Sequence, residues 1–202
     1  ENILSTLYKD RDWVVKFHDE VIRQGAKVRF YAYARADDIL IHKEDIVLLK
    51  EAGLDCIFVG IESFVERQLK LYEKRTKPEI NVETLRLIKQ MGLKINMGFI
   101  LFDPYLTVEE FRQNMKYLLK TRFYELCFFG QSPVSLLDPL YPMPNTRFCQ
   151  TLVDAGIYDD SIFHKYKFFG FFQFRNQIFP KRFAVFKIFC RRIRKREFAH
   201  FV

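Results

Sequence analysis

Hydrophobic residues in the first 156 positions follow two alternating spacings, one typical of helices and the other of buried strands. In the helical stretches apolar residues recur every three or four positions, as at Leu85, Ile88 and Met91. Between these stretches lie short, nearly continuous apolar runs, such as CIFVGI at 56–61. Runs of this kind are typical of parallel strands that helices cover on at least one face.

A unit of helix, glycine and strand repeats along the chain. Three copies are EVIRQG-AKVRFYAYAR, LLKEAG-LDCIFVGIES and LIKQMG-LKINMGFILF, and a fourth, YLLKTRF-YELCFFGQS, lacks the glycine. We expect Gly25, Gly53 and Gly92 to end their helices with a positive φ. Asn81, followed by Glu83, is predicted to cap the start of a helix. The repeat predicts right-handed β-α units and an α/β fold with a partial, parallel (β/α) half-barrel.

Polar side chains stand where each predicted strand ends. The four strands end at Arg35, at Glu62 and Ser63, at Asp103, and at Gln131. In parallel sheets the carboxyl ends of the strands meet at one edge, where ligands bind. The sequence therefore predicts a polar ligand site at that edge.

Two roles stay open for Asp103. A carboxylate at a strand end can act as a catalytic acid. An Asp directly before Pro104 also favours the start of a turn, and this second role is at least as well supported by the sequence.

The cysteines and histidines are too scattered to form a recognisable metal motif. Cys56, Cys127, Cys149 and Cys190 form no CxxC pair, and the four histidines form no HExxH site. The cysteines are therefore interpreted as reduced, mostly buried thiols of a cytoplasmic protein. No apolar stretch is long enough to span a bilayer.

The net charge of +8 belongs to the end of the chain. The stretch 181–196, KRFAVFKIFCRRIRKR, is rich in Lys and Arg and contains no acid, so the remainder is close to neutral. A general interaction with nucleic acid is therefore not favoured for the main domain.

The segment 157–202 is predicted to be an aromatic and basic helical extension. It holds twelve of the 23 Phe residues, and Phe183, Phe186, Cys190 and Ile193 fall at helical spacing. A helix that packs on the barrel is the preferred interpretation. Peripheral contact with an anionic membrane and contact with RNA remain the alternatives.

Four segments together resemble the radical S-adenosylmethionine (SAM) superfamily, and most closely the branch that often carries a cobalamin-binding domain. They are FYAYARADD, the strand that ends in GIES, MGFILFDPYLTVEEF, and YPMPNTRFCQTLVDAG. The resemblance covers about residues 1–156. It implies a cofactor site built from the strand ends.

The resemblance implies a role for individual residues around SAM. Glu62, with Ser63 beside it, would contact the ribose hydroxyls. Lys74, with Arg75 as its neighbour, would stand on the following helix and pair with the methionine carboxylate. Arg35 would lie over the cofactor or the substrate.

Further residues follow from the same resemblance. The strand that contains Asn96, Gly98 and Ile100 would hold the adenine, because a glycine permits close approach. Asp103 and Gln131 would lie on the substrate side.

The family's CxxxCxxC loop, which binds the 4Fe-4S cluster, does not occur in the 202 residues. We therefore expect the cluster ligands and the first two barrel strands to lie upstream of Glu1. Residues 1–156 would form the later part of the core, and this part alone is not expected to be active.

The predicted function is that of a part of a radical SAM enzyme. The complete enzyme would use SAM, a 4Fe-4S cluster, an electron donor and a small-molecule or lipid-like substrate, and the branch is compatible with cobalamin. Its cluster would cleave SAM to a 5'-deoxyadenosyl radical or support methyl transfer. The alternative is a non-catalytic β/α module for binding or membrane association.

Overall fold

The computed structural model describes residues 11–122 and 142–158. The strands are β1 (Phe30–Arg35), β2 (Leu54–Glu62) and β3 (Lys94–Phe99). The helices are α1 (Arg11–Gln24), α2 (Ala36–Ile41), α3 (Lys43–Glu51), α4 (Glu66–Leu71), α5 (Pro78–Gln90), α6 (Val108–Thr121) and α7 (Arg147–Asp154).

The three strands form a parallel sheet in the order β1-β2-β3. Helices connect them, since parallel neighbours need a crossover. The predicted α/β class with parallel strands is thereby confirmed, as an open sheet in the part of the chain that the structure describes. The predicted fourth strand lies outside the described residues. The basic tail and most of the extension after 157 also lie outside them, so their predicted roles stay predictions.

Helices cover one face of the sheet. Ile57, Val59 and Ile61 of β2 are fully buried and pack with helix residues such as Leu49 and Ile88. Among the described residues, no helix covers the opposite face, which we call the open face, and Tyr31 and Tyr33 of β1 are 64% and 49% exposed. The strand sequences are nearly continuous apolar runs because aromatic side chains also stand on this second face.

The glycines at the helix ends have the predicted positive φ. The φ values of Gly25, Gly53 and Gly92 are +60°, +112° and +65°. At Gly53 a Cβ atom would lie 2.2 Å from the carbonyl oxygen of Val28, whereas at Gly25 it would meet nothing within 4 Å. Gly53 is therefore required both by its φ and by the backbone beside it.

The start of α5 differs from the prediction. Lys77 is the N-cap and Pro78 occupies the first helical turn, so Asn81 lies inside the helix. A proline fits this place because the first turn leaves its N–H groups without partners in the helix. The side chain of Asn81 is fully buried and bonds to the end of β2 instead.

Two of the four cysteines lie in the described ranges. Cys56 and Cys149 are buried thiols outside any disulfide bond, as predicted. Burial is the largest cause that raises the pKa of the Cys56 thiol. Within the described ranges, no helix is long and apolar enough to cross a membrane.

An ion pair ties α4 to α6 behind the sheet. The Arg67 guanidinium donates to Glu110 at 2.9 Å. Glu110 also completes a capping box with Thr107 at the start of α6. Burial acts to raise the pKa of Glu110, but the hydrogen bonds from Arg67 and from the Thr107 backbone outweigh it, so the pKa is lowered.

We expect Gly53→Ala to lower the free energy of unfolding by roughly 3 kcal/mol, because left-handed strain adds to a clash with the backbone. Gly25→Ala, at a similar helix end without a neighbour, should cost only about 1 kcal/mol. Urea unfolding followed by circular dichroism measures both. Equal losses would show that the contact at Val28 does not matter.

Glu110 should stabilise the fold in a pH-dependent way. Its folded pKa lies below the usual 4.5, so its contribution is complete above that value and is lost as the pH falls through the lowered pKa. Glu110→Gln should therefore cost about 1 kcal/mol at neutral pH, and less in acid. Unfolding in urea at several pH values tests this. Glu109→Gln, at a side chain that is 79% exposed, is the matched control and should show no such trend.

Candidate functional site

β2 ends in a tight turn at Glu62. The N–H of Ser63 donates to the carbonyl oxygen of Ile61 at 2.7 Å, and Glu62 between them has a φ of +62°. A three-residue turn of this kind, a γ-turn with a positive φ, is rare and strained. The pairing of β2 with β3 is irregular at the same place, between Gly60 and Glu62.

The turn folds the Glu62 carboxylate back over Gly60. A Cβ atom at Gly60 would lie 2.8 Å from Oε1 of Glu62, so only a glycine leaves room for this arrangement. In the neighbouring strand Gly98 is paired with Gly60. The two glycines form a patch of the open face that bears no side chain of its own, and the tips of Glu62 and Phe58 lie over it.

Lys74 supplies the opposite charge. Its Nζ lies 2.8 Å from Oε1 of Glu62, and the side chains of Lys74 and Glu62 are 38% and 16% exposed. Lys74 does not stand on a helix, as the resemblance implied, but in the loop after α4. The reason is that α4 ends in a Schellman motif, in which Lys74 N–H donates to Leu69 and Glu73 takes a left-handed φ of +54°.

These residues border an open pocket of about 480 Å³ at the carboxyl ends of β1 and β2. Arg35 lines the same pocket and pairs with Asp37 through two hydrogen bonds of 3.0 Å. The pocket is lined by Tyr33, Ala34, Arg35, Ala36, Asp37, Phe58, Gly60, Glu62, Lys74 and Thr76. The structure thus brings the predicted residues Arg35, Glu62 and Lys74 together around one cavity.

The predicted residues of β3 take different positions. Gly98 borders the patch without side chains, and a Cβ atom there would lie 3.1 Å from Cζ of Phe58. Asn96 lines a second pocket of about 400 Å³, which shares Tyr33 and Phe58 with the first. Ile100 contributes its backbone, and its N–H donates to the carbonyl oxygen of Glu62 at 2.7 Å.

Ser63 points away from this pocket. Its side chain is fully buried, and its Oγ lies 2.7 Å from Oε1 of Gln68 and 3.1 Å from Oδ1 of Asn114. It also accepts a hydrogen bond from Val65 N–H at 2.9 Å. The geometry therefore gives Ser63 a structural role behind the turn and does not support the expected contact with a cofactor.

Asp103 takes the turn role that the sequence left open. Its Oδ1 accepts from the N–H of Tyr105 at 2.8 Å, and its carbonyl oxygen accepts from Leu106. The other oxygen accepts from Gln68 at 2.6 Å and from Arg67 and Tyr72 at 3.1 Å. Because the whole carboxylate is buried and bonded, it does not face the pocket as a catalytic acid. Gln131 lies outside the described residues.

Tyr72 belongs to the same buried network. Its burial, and next the charge of Asp103, raise the pKa of its hydroxyl well above the usual value. The hydroxyl therefore stays protonated and donates to Asp103 over the ordinary pH range. The network links α4 to Asp103, in the segment that follows β3.

Several lining residues were missed by the sequence analysis. Tyr33, Phe58 and Gly60 lie on the open face, and the two-residue alternation along β1 and β2 would have indicated them. Thr76 lies in a loop and carried no signal. In the described ranges, no group of three His, Cys, Asp or Glu residues could hold a metal ion.

A search of curated proteins finds similar enzymes that are much longer than the matched stretch. The chain is 31% identical over 119 residues to 4'-phospho-dehydrooxetanocin synthase of Priestia megaterium. It is 28% identical over 86 residues to hopanoid C-3 methylase of Methylococcus capsulatus. These matches cover 54% and 43% of this chain, but only 16% of either relative.

Solved structures share the fold. The cobalamin-dependent SAM radical enzyme OxsB with aqua-cobalamin bound superposes with a TM-score of 0.56 at 23% identity. The match covers 70% of this chain and 25% of that one. At this level of identity the likeness concerns the fold.

The family is decided by a family model. The model described as the radical SAM superfamily matches residues 8–118, which are more than half of the chain and include β1, β2 and β3. The match contains the Glu62 turn, Lys74 and the glycine pair. The chain therefore belongs to the radical SAM superfamily.

Proposed function

We propose that the pocket beside Glu62 holds the nucleoside and methionine parts of SAM in a larger radical SAM enzyme. The observation that carries the proposal is the Glu62–Lys74 pair, which stands over Gly60, the strand partner of Gly98. A carboxylate, an ammonium group and a glycine without a side chain line one cavity. These are the groups that a zwitterionic nucleoside needs.

Glu62 is suited to the ribose. An ionised carboxylate accepts two hydrogen bonds, and a cis-diol donates two. Lys74 is suited to a carboxylate of the ligand. In the structure the two side chains pair with each other, and a ligand that brings both a diol and a carboxylate can replace this pair by giving each charged group a hydrogen-bonding partner.

The glycine pair is suited to the base. Gly60 and Gly98 have no side chains, and the nearest side-chain atoms above them are the tips of Glu62 and Phe58, so a planar ring can approach the sheet closely once these tips shift. Phe58 and Tyr33 border this patch, and their rings are 5.0 Å apart. Both rings can add apolar contact area for a planar group of the ligand.

Arg35 completes the polar wall of the pocket. Its guanidinium is held by Asp37 and faces the cavity at the end of β1. We assign it to the cofactor or to the substrate beside it. Asn96 and Ile100 stay predictions, the first as a lining group of the second pocket and the second through its backbone.

Bound SAM and a reduced 4Fe-4S cluster would supply a 5'-deoxyadenosyl radical or a methyl group. The residues of this chain would bind and orient the cofactor and shape the cavity beside it. The cluster ligands would belong to another part of the larger enzyme, because the 202 residues contain no CxxxCxxC loop and the matched stretch covers only 16% of each relative.

The likeness to a cobalamin-dependent enzyme makes cobalamin a candidate cofactor of the complete protein. The similar proteins include a synthase, a methylase and a cyclase. Because these names describe different reactions, we assign to the complete enzyme a small-molecule substrate and an electron donor but no single reaction.

Glu62→Gln should weaken SAM binding by the full-length protein roughly tenfold or more, because hydrogen bonds to a charged group are lost. Equilibrium dialysis with labelled SAM on the reconstituted, oxygen-free protein measures the affinity. Glu66→Gln is the matched control, since Glu66 also pairs with a lysine at 2.8 Å but on the surface of α4. Equal affinities of the two variants would contradict the proposed site.

The natural full-length protein, purified without oxygen, should contain about four iron and four acid-labile sulfide atoms per chain. Its electron paramagnetic resonance signal should change when SAM is added, because SAM chelates the open iron. Chemical analysis and spectroscopy test both. Absence of iron after reconstitution would contradict the radical enzyme and favour the non-catalytic binding module.

A further inference from the structure

A buried side chain from a neighbouring helix bonds to the strained turn at Glu62. Asn81 of α5 is fully buried, and its Nδ2 donates to the carbonyl oxygens of Ile61 and Ser63, both at 2.8 Å. These two carbonyls belong to the residues directly before and after Glu62. One amide group therefore bonds to the backbone on both sides of the proposed cofactor residue. We call these two hydrogen bonds from Asn81 the clamp.

The third carbonyl of the turn is fixed as well. Ile100 N–H donates to the carbonyl oxygen of Glu62 at 2.7 Å, and Ser63 N–H closes the turn on Ile61. Every carbonyl of the segment 61–63 thus accepts a hydrogen bond. Of these bonds, only those of Asn81 come from a side chain, so they alone can be removed by substitution without altering the backbone.

Asn81 does not serve its own helix in this position. Asn is a poor residue inside a helix, because its amide competes with the backbone for hydrogen bonds. Here the amide group donates both of its hydrogens to carbonyl oxygens at the end of β2 and none to α5. Its oxygen faces Thr76, which lines the pocket, with 3.5 Å between Oδ1 and Oγ1.

We infer that Asn81 is a positioning residue that holds Glu62 in its left-handed conformation and so aims the carboxylate at the cofactor. A Glu with a φ of +62° is strained, and strain persists only where the surroundings over-determine it. Without Asn81 the turn can relax toward extended backbone, which takes the carboxylate away from Gly60 and Lys74. The inference rests on the proposed function for its consequence, but the clamp itself is a property of the fold.

The clamp is tested by hydrogen exchange on the full-length protein. In Asn81→Ala the amide hydrogens of the segment 60–64 should exchange faster than in the parent. Thr84→Val is the matched control, because Thr84 on the same helix is also buried and donates to a backbone carbonyl, that of Ala36, at 2.8 Å. It should leave the exchange of 60–64 unchanged. Unchanged exchange in Asn81→Ala would overturn the clamp.

The positioning role is tested by a double-mutant cycle on SAM affinity. Asn81→Ala should raise the dissociation constant about tenfold, but less than about twofold further when Glu62→Gln is already present. Glu83→Gln, at a half-exposed side chain of the same helix, should leave the constant unchanged. An equal loss in both backgrounds would show that Asn81 does not act through Glu62.

A milder variant keeps the test decisive if Asn81→Ala does not fold. Asn81→Ser retains one donor, and it should give intermediate exchange and intermediate affinity. If Glu62→Gln alone leaves SAM binding unchanged, the proposed function fails, and the exchange result still decides on the clamp. Faster exchange with unchanged affinity, where Glu62→Gln does weaken binding, would overturn the positioning role.

Discussion

The left-handed backbone at Glu62 is the constraint on which the candidate site depends. β2 is the central strand, and its last residue must leave the sheet while its side chain stays over it. A γ-turn achieves this in one residue, at the cost of strain. The surrounding elements are arranged to keep that turn, since α5 bonds to it from one side and the exit of β3 from another. The chemistry of the pocket thus follows from a backbone conformation.

Much of the fold could be predicted from the sequence because its signals are local. Gly25, Gly53 and Gly92 indicate helix ends, because a positive φ is a property of one residue and its immediate neighbours. The edge where Arg35 and Glu62 meet could also be predicted, because parallel strands bring their carboxyl ends together. These inferences need the order of elements but no side-chain geometry.

The remaining features depend on contacts between distant parts of the chain. Ser63 looks like a second ligand beside Glu62, but a turn reverses its direction and buries it against Asn114, 51 positions away. Lys74 reaches the pocket through a left-handed Glu73, at a position where glycine or asparagine is the usual signal. Asn81 looked like a cap and serves as a clamp. In each case the deciding partner is remote in sequence, so local pattern could not reveal it.

The glycine pair on the open face affects which substitutions the sequence can accept during evolution. At Gly53 substitution is limited by the fold, because a side chain collides with the backbone of Val28. Gly60 and Gly98 have no positive φ, and an added methyl group would meet the Glu62 carboxylate at Gly60 and the Phe58 ring at Gly98. Under the proposed function, a descendant that changed Gly60 would keep its sheet but displace the Glu62 carboxylate, and would so lose its ligand. Such a lineage would retain the architecture of the family after its cofactor had gone.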